Sequence, residues 1–469
     1  MLFVDEEVKL IAGALVCSIL LWLLLHHVRQ QHAAGNEDYP YRGLMKLYGL
    51  STRGFLPESS IEVLDGNYFA PWENMSVRLP ALLEKKEVRA FVDSILEELD
   101  ATKLKGKAQQ RRAYVLLGQV VHAYVFGQEP TLRCIPPQLA RPWVQVCQTL
   151  GLPFILTAPG LDLWNCELIE RDKGCTLGNL RLLSSVTGTK SECGFHALPH
   201  AMHARANKNN LLFRVFCAPM VLKKKATQAS LLSMLNLLKD LKATLDDFYQ
   251  LFKEVGKHVN VSEFYDIYRP LLGSFAPEGV ILEGAADLFQ GAPKTEFWET
   301  QNGDVRVKPD GPSAGQSTMF VVFDKFLSIV HPPGSKAQLF QANVLKYMPT
   351  EHRAFAADFA VAMDSCPNNG SIISFAQLSQ DNSKLKTLAA SIITAHGDCV
   401  DAYAKLRKFH LGVACSYLKT TTTGTGGTHF RNLLADTLEN TQKAKLVPAV
   451  DSNSNTNSGK TKGETKKNI

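Results

Sequence analysis

The chain has no CxxC pair, and its ten cysteines are scattered over 469 residues. In a chain this size they read as buried or free thiols in a reducing compartment, not as a disulfide framework. Concentrated charge is also missing. The net charge is only +6, part of it in the C-terminal tail. No basic face is interleaved with aromatics, which excludes nucleic acid as an expected partner. The one glycine-rich motif, GTGGT at 424–428, lacks the lysine of a P-loop and the spacing of a dinucleotide fingerprint. There is no internal repeat. Strand patterns are scarce beyond a hairpin expected around 294–308.

What is present suits a globular, mainly α protein: 45% hydrophobic and 20% charged residues. The length allows two or three ordinary domains, or one large helical domain with a smaller companion. Amphipathic spacing predicts helices over Pro80–Asp100, with Leu83, Val88, Phe91, Val92, Ile95 and Leu99 inward, and over 109–126 and Pro136–Leu150. Residues 30–55 read as a polar linker and 159–193 as a turn-rich connector. The clearest helix is Leu231–Val255. Further helices are expected at 316–331, 335–348, 351–363 and 384–419. We therefore expect an anchor and linker (1–35), a small N-terminal domain with connector (36–193), a large helical domain (194–447) and a disordered polar tail (448–469).

The most informative stretch is Ala404–Thr428. Its first part reads as a helix on which Leu406, His410, Val413, Ala414 and Tyr417 share one side. Its second part, TTTTGTGGT, is a loop able to close over a small ligand. His410 has two readings from spacing: a core histidine bonded to a carbonyl, or a neutral imidazole holding a haem iron. Cys415 and Cys147 are candidates for a thiolate alternative. His196, His200 and His203 are four and three apart. They would share a helical face if Pro199 lay near the helix start, so they read as polar surface, as a metal site or as placing a histidine over a haem.

FHLGVACSYL followed by GTGGT resembles the C-terminal signature of the indoleamine 2,3-dioxygenase family. IPPQLARPWVQVCQTLGLPFIL (135–156), GPSAGQSTMFVVFD (311–324) and YMPTEHRAF (347–355) resemble further family stretches, in the family's order. The resemblance spans about residues 45–447 and implies a large helical domain binding haem b. It implies His410 as the iron ligand, with Arg407 and Asp324 pairing near a haem propionate. Ser313, Ala314 and Gly315 would form a small-residue strip at the haem edge. Phe264 would pack on an indole ring, with Tyr265 as second aromatic, and Arg269 would bind the substrate carboxylate. Phe195 would line the pocket, and Thr425 in the loop would contact substrate. Four residues after Phe195 the family commonly has a small hydroxyl residue; this chain has Pro199. On a regular helix Phe264 and Arg269 would lie about 140° apart around the axis.

The implied reaction inserts O₂ across the indole C2–C3 bond of tryptophan or a related indoleamine, giving N-formylkynurenine. An external reductant and a monomeric enzyme are expected with it. The alternatives are an oxygen-binding, myoglobin-like protein or a low-activity paralogue on the same fold. Leu10–Leu25 is an uncharged apolar run of sixteen residues followed by His26, His27 and Arg29. Extended to Val28 it approaches the length of a membrane span. We expect it to anchor a cytoplasm-facing body, with a processed soluble form as the alternative.

Overall fold

A computed structural model describes residues 41–59, 63–64, 66–419, 421–425 and 427–446. The expected anchor at 10–28 and the polar tail lie outside the described residues. Among the described residues no helix is long and apolar enough to cross a membrane.

The architecture is mainly α. The N-terminal helices are α1 (Arg42–Leu47), α2 (Ala70–Glu84), α3 (Val88–Ser94), α4 (Gly106–Phe126) and α5 (Pro137–Leu150). They are followed by α6 (Lys190–Ala206), α7 (Leu211–Leu222), α8 (Gln228–Lys253), α9 (Thr318–Phe326), α10 (Lys336–Leu345), α11 (Thr350–Asp364), α12 (Lys386–Leu418) and α13 (Phe430–Lys443). One buried cluster runs from Leu44 to Ala444.

Helix α8 starts at a capping box. Ser230 N–H donates to the Thr227 hydroxyl at 3.1 Å, and Thr227 N–H donates to the Ser230 hydroxyl at 2.8 Å. Its stripe of Leu231, Met234, Leu238, Leu241, Leu245 and Phe248 is buried. This stripe lies along α12, the most extensive helix pairing among the described residues. Helix α12 changes character along its length. Ala389, Ile392, Cys399, Val400, Tyr403 and Leu406 are buried, but every residue from Arg407 to Leu418 is partly or fully exposed. Of the five residues expected on one apolar face, only Leu406 is fully buried.

Two helices stop earlier than their periodicity predicts, for one reason. The single helix expected over 80–100 is α2 and α3, divided at Lys86 (φ +59°). Lys86 N–H donates to Leu83 C=O and Glu87 N–H to Leu82 C=O, the paired bonds of a left-handed helix stop. Ile95, expected inward, is 60% exposed. Helix α9 ends in the same way at Ser328 (φ +57°), with Ser328 N–H bonded to Lys325 C=O and Ile329 N–H to Asp324 C=O. Neither stop uses glycine, so neither carries the usual sequence signal.

The 30–55 stretch, expected as linker, contains α1. The 159–193 connector holds a π turn at Pro159–Leu163 and a small hairpin of β1 (Cys166–Leu168) and β2 (Leu180–Leu182). The hairpin expected at 294–308 is present as Trp298–Gln301 against Asp304–Val307. Asn302 and Gly303 both have positive φ, as a tight two-residue turn requires. Asp304–Val307 also pairs with Val280–Leu282, which runs parallel to Cys134–Ile135. This last pairing ties the N-terminal helices to the chain beyond Arg269.

Candidate active site

The segment Glu263–Tyr268 is a π turn. Its defining bond runs from Arg269 N–H to Phe264 C=O, five residues back. That wider ring stacks residues five apart, so Phe264 and Arg269 are not splayed as a regular helix would splay them. Phe264 is 5% exposed and packs on Phe195 of α6, with ring centroids 4.8 Å apart at 33°. It also meets Tyr417, about two turns beyond His410 on α12, at 6.0 Å. Arg269 donates from Nη2 to Thr423 C=O at 3.0 Å, and its guanidinium lies 5.7 Å from the Tyr265 ring. Its Nε is buried with no hydrogen-bond partner. Burial lowers the Arg269 pKa, with Tyr265 opposing.

The glycine-rich loop closes against this turn. The Tyr265 and Thr421 hydroxyls are 2.8 Å apart, and Thr423 bridges to His429. Thr425 donates to Pro312 C=O at 2.5 Å. Gly427 has φ +74°, and a Cβ there would lie 2.7 Å from Asp310 Oδ1.

On α12, Arg407 Nη2 donates to Asp324 Oδ1 at 2.7 Å and to the Tyr403 hydroxyl at 2.9 Å, while Nη1 reaches Thr441. Burial works against the Arg407 charge, but Asp324 and Tyr403 outweigh it and raise the pKa. Asp324 is 4% exposed and also meets His331 and Gln341. One turn along the helix, His410 packs on Phe252 with centroids 5.3 Å apart. Burial, then the Arg407 charge, lowers its pKa to about 4, so the imidazole is neutral at pH 7. No described residue hydrogen-bonds either ring nitrogen, and neither nitrogen is sealed among packed atoms. A neutral imidazole with a free lone pair, on a partly exposed apolar face with a fixed guanidinium one turn away, is a donor set that fits a haem. Cys147 fits less well: it is fully buried, and burial holds its thiol pKa well above the usual value. Among the described residues all cysteines are free thiols.

The Ser313–Ala314–Gly315 strip differs in detail from its expected use. A Cβ on Gly315 would sit 2.6 Å from Phe340 of α10, so Gly315 makes room for that ring. Ser313 Oγ accepts from Gly315 N–H at 3.3 Å, and Ala314 is exposed.

The three histidines of α6 are neither polar surface nor one metal site. Helix α6 starts at Lys190, so Pro199 lies well inside it. There it has no N–H to give the Phe195 carbonyl four residues back. His196, His200 and His203 are 1%, 1% and 7% exposed, and each bonds a different acceptor or donor atom. His196 Nδ1 lies 2.6 Å from Asp162 Oδ1, and its Nε2 bonds the Tyr268 hydroxyl. His200 Nδ1 bonds the Asp162 carbonyl at 2.8 Å, and His203 Nε2 bonds Ser317 Oγ at 3.2 Å. No group of three metal-ligating side chains occurs among the described residues. Asp162 and Tyr268 were missed from sequence. The signal for Asp162 was a lone carboxylate in an otherwise apolar PGLDLW run; Tyr268 offered none.

A family model for indoleamine 2,3-dioxygenase matches residues 45–422. The chain is 30% identical to the 6-hydroxytryptophan 2,3-dioxygenase of Fusarium equiseti over 376 residues, 80% of this chain and 84% of the relative. It is 27% identical to mouse indoleamine 2,3-dioxygenase 2 over 420 residues, 84% of this chain and 93% of the relative. It is also 26% identical to a myoglobin of the abalone Haliotis diversicolor over 378 residues, 78% and 86% of the two chains.

Proposed function

The chain belongs to the indoleamine 2,3-dioxygenase family, and from that premise we propose that it is a haem-dependent oxidoreductase. In this reading it inserts both atoms of O₂ across the C2–C3 bond of tryptophan or a related indole, giving the N-formylkynurenine type of product. The observation that carries it is the buried, unpartnered Nε of Arg269, on the π turn that also carries Phe264, whose ring packs on Phe195. An orphaned donor on a fixed cation suits a carboxylate, which a guanidinium fork holds by two parallel bonds. Two aromatic faces beside it suit a flat ring.

His410 would hold the haem iron, with the Arg407–Asp324 pair fixed one turn away. When bound, the haem would supply the oxygen activation. The chain's own residues orient and enclose. Arg269 fixes the carboxylate end, and Phe264 and Phe195 hold the plane of the ring. The loop bonded through Thr421, Thr423 and Thr425 shuts out water. The reaction asks for no strong acid or base at the ring.

Haem is tested by the reduced carbon monoxide spectrum of the wild type and of His410→Ala; a haem band unchanged in the variant removes His410 as ligand. Turnover of tryptophan with O₂ and a reductant tests the activity. A stable oxygen complex without product would favour the oxygen-binding reading, which the abalone relative brings into view but which needs no carboxylate clamp. We also propose that residues 10–28 attach the protein to a membrane. Recovery of the full chain wholly outside the membrane fraction would refute that.

A further inference from the structure

A small cavity lies behind the Ser313–Ala314–Gly315 strip, lined by Asp162, Pro199, His203, Ala314, Gln316 and His352 together with three methionine side chains. It has room for one or two small polar groups. Ala314, at its rim, is exposed, so the cavity opens toward the strip.

The cavity's polarity follows from a chain of hydrogen bonds. The Tyr268 hydroxyl bonds His196 Nε2, and His196 Nδ1 faces Asp162 Oδ1 at 2.6 Å. The assignment that satisfies each donor has the phenol donating to Nε2 and Nδ1–H donating to the carboxylate. Asp162 Oδ2 then has no partner among the described residues. A carboxylate oxygen only accepts; Asp162 is 7% exposed and lines the cavity, and its Oδ2 is not sealed among packed atoms, so it is open to a donor from the cavity side. A second polar side chain points the same way. His352 is 3% exposed, and no described residue hydrogen-bonds it. Burial, then the nearby Arg111 charge, holds its pKa well below the usual value, so it is neutral.

Resting on the proposed function, we infer that this cavity is a specificity subsite for a hydroxyl or amino substituent on the ring of the indole substrate, which donates to Asp162 Oδ2. His352 is placed to complete the bonding of that substituent. The subsite is coupled to the rest of the pocket: the same His196 that orients Asp162 is bonded to Tyr268, next to Arg269, and its ring lies 5.1 Å from Phe195. A ring substituent seated on Asp162 and a carboxylate seated on Arg269 would fix the indole from both ends.

The test uses the haem-loaded full chain. Turnover of hydroxy-L-tryptophans is compared with that of methyl-L-tryptophans substituted at the same ring positions, and calorimetry compares hydroxyindoles with methylindoles. The variants are Asp162→Asn and the double replacement Asp162→Leu with His196→Phe, which removes both members of the buried pair and leaves only the Tyr268 hydroxyl without its acceptor. The wild type should prefer one hydroxyl isomer over its methyl counterpart by on the order of tenfold to a hundredfold, in kcat/KM and in affinity. Asp162→Asn should cut that preference and the double variant abolish it. Asp162→Asn alone decides if the double variant does not fold. A wild type that treats hydroxyl and methyl alike, or a preference unchanged in Asp162→Asn, overturns the subsite while leaving the dioxygenase reading intact. A hydroxyindole preference lost in the variants, with no tryptophan turned over, upholds the subsite and overturns the dioxygenase reading.

Discussion

Arg269 is joined to Phe264 by the bond from its own backbone N–H to the Phe264 carbonyl. The proposed clamp for a carboxylate and the proposed platform for a ring are therefore set by one turn of backbone. Arg269→Lys keeps the charge but loses the fork and the Nε donor. KM for tryptophan should rise by about tenfold to a hundredfold, with a smaller fall in kcat. Steady-state kinetics checks this; an unchanged KM would mean that the guanidinium does not hold the carboxylate.

Asp324 compensates a buried guanidinium. The Arg407 and Asp324 side chains are only 12% and 5% exposed. Asp324→Ala should cost about 3–5 kcal/mol, because it leaves the Arg407 charge uncompensated. Replacing both partners with apolar residues, Asp324→Leu with Arg407→Met, should cost much less. Urea unfolding of the three proteins without haem separates the cost of a stranded charge from the worth of the pair.

Gly427 cannot take a side chain cheaply. Its φ of +74° is left-handed, and a Cβ would press on Asp310. Gly427→Ala should lower turnover by opening the loop that holds Thr423 and Thr425. Haem content should be unchanged, since the loop is bonded to Pro312 and Arg269 and not to α12 near His410. Absorption and kinetics on one preparation check both halves.

Acid should destabilise the fold. Burial lowers the pKa of His122 and His200 to about 4 and of His203 to about 3. Unfolded, these groups take up protons below about 6.5. Between roughly pH 6.5 and pH 4 the unfolded chain therefore binds more protons than the folded one, and stability falls as pH falls. Each such group contributes about 1.4 kcal/mol per pH unit inside that window. The Tm of the haem-free protein should drop steeply from pH 7 to pH 5; a Tm that is flat over that range would refute the three buried neutral histidines.

The fold was legible where burial is one-sided and regular. Helix α8 shows its stripe in sequence because one face is buried, most extensively against α12. Helix ends were less legible: Lys86 and Ser328 adopt left-handed backbone without being glycine, held there by carbonyls that local composition does not reveal. The α6 histidines misled for a related reason. Their spacing suggested one face and one role, whereas the Asp162 side chain, the Asp162 backbone carbonyl and the Ser317 hydroxyl, all distant in the chain, each hold one of them.

Sequence alone determined the mainly α class, the family and the residue types that an indole dioxygenase would need, because these follow from periodicity and from ordered motifs. Only the tertiary structure decided how those residues meet. A π turn brings Arg269 back over Phe264, where a regular helix would part them. Burial of Asp162 against His196 and Tyr268 turns one carboxylate in an apolar run into an oriented acceptor. Both outcomes depend on hydrogen bonds whose partners are chosen by packing. Such bonds leave no period in the sequence, because an unpaired buried donor or acceptor is costly wherever along the chain its partner lies.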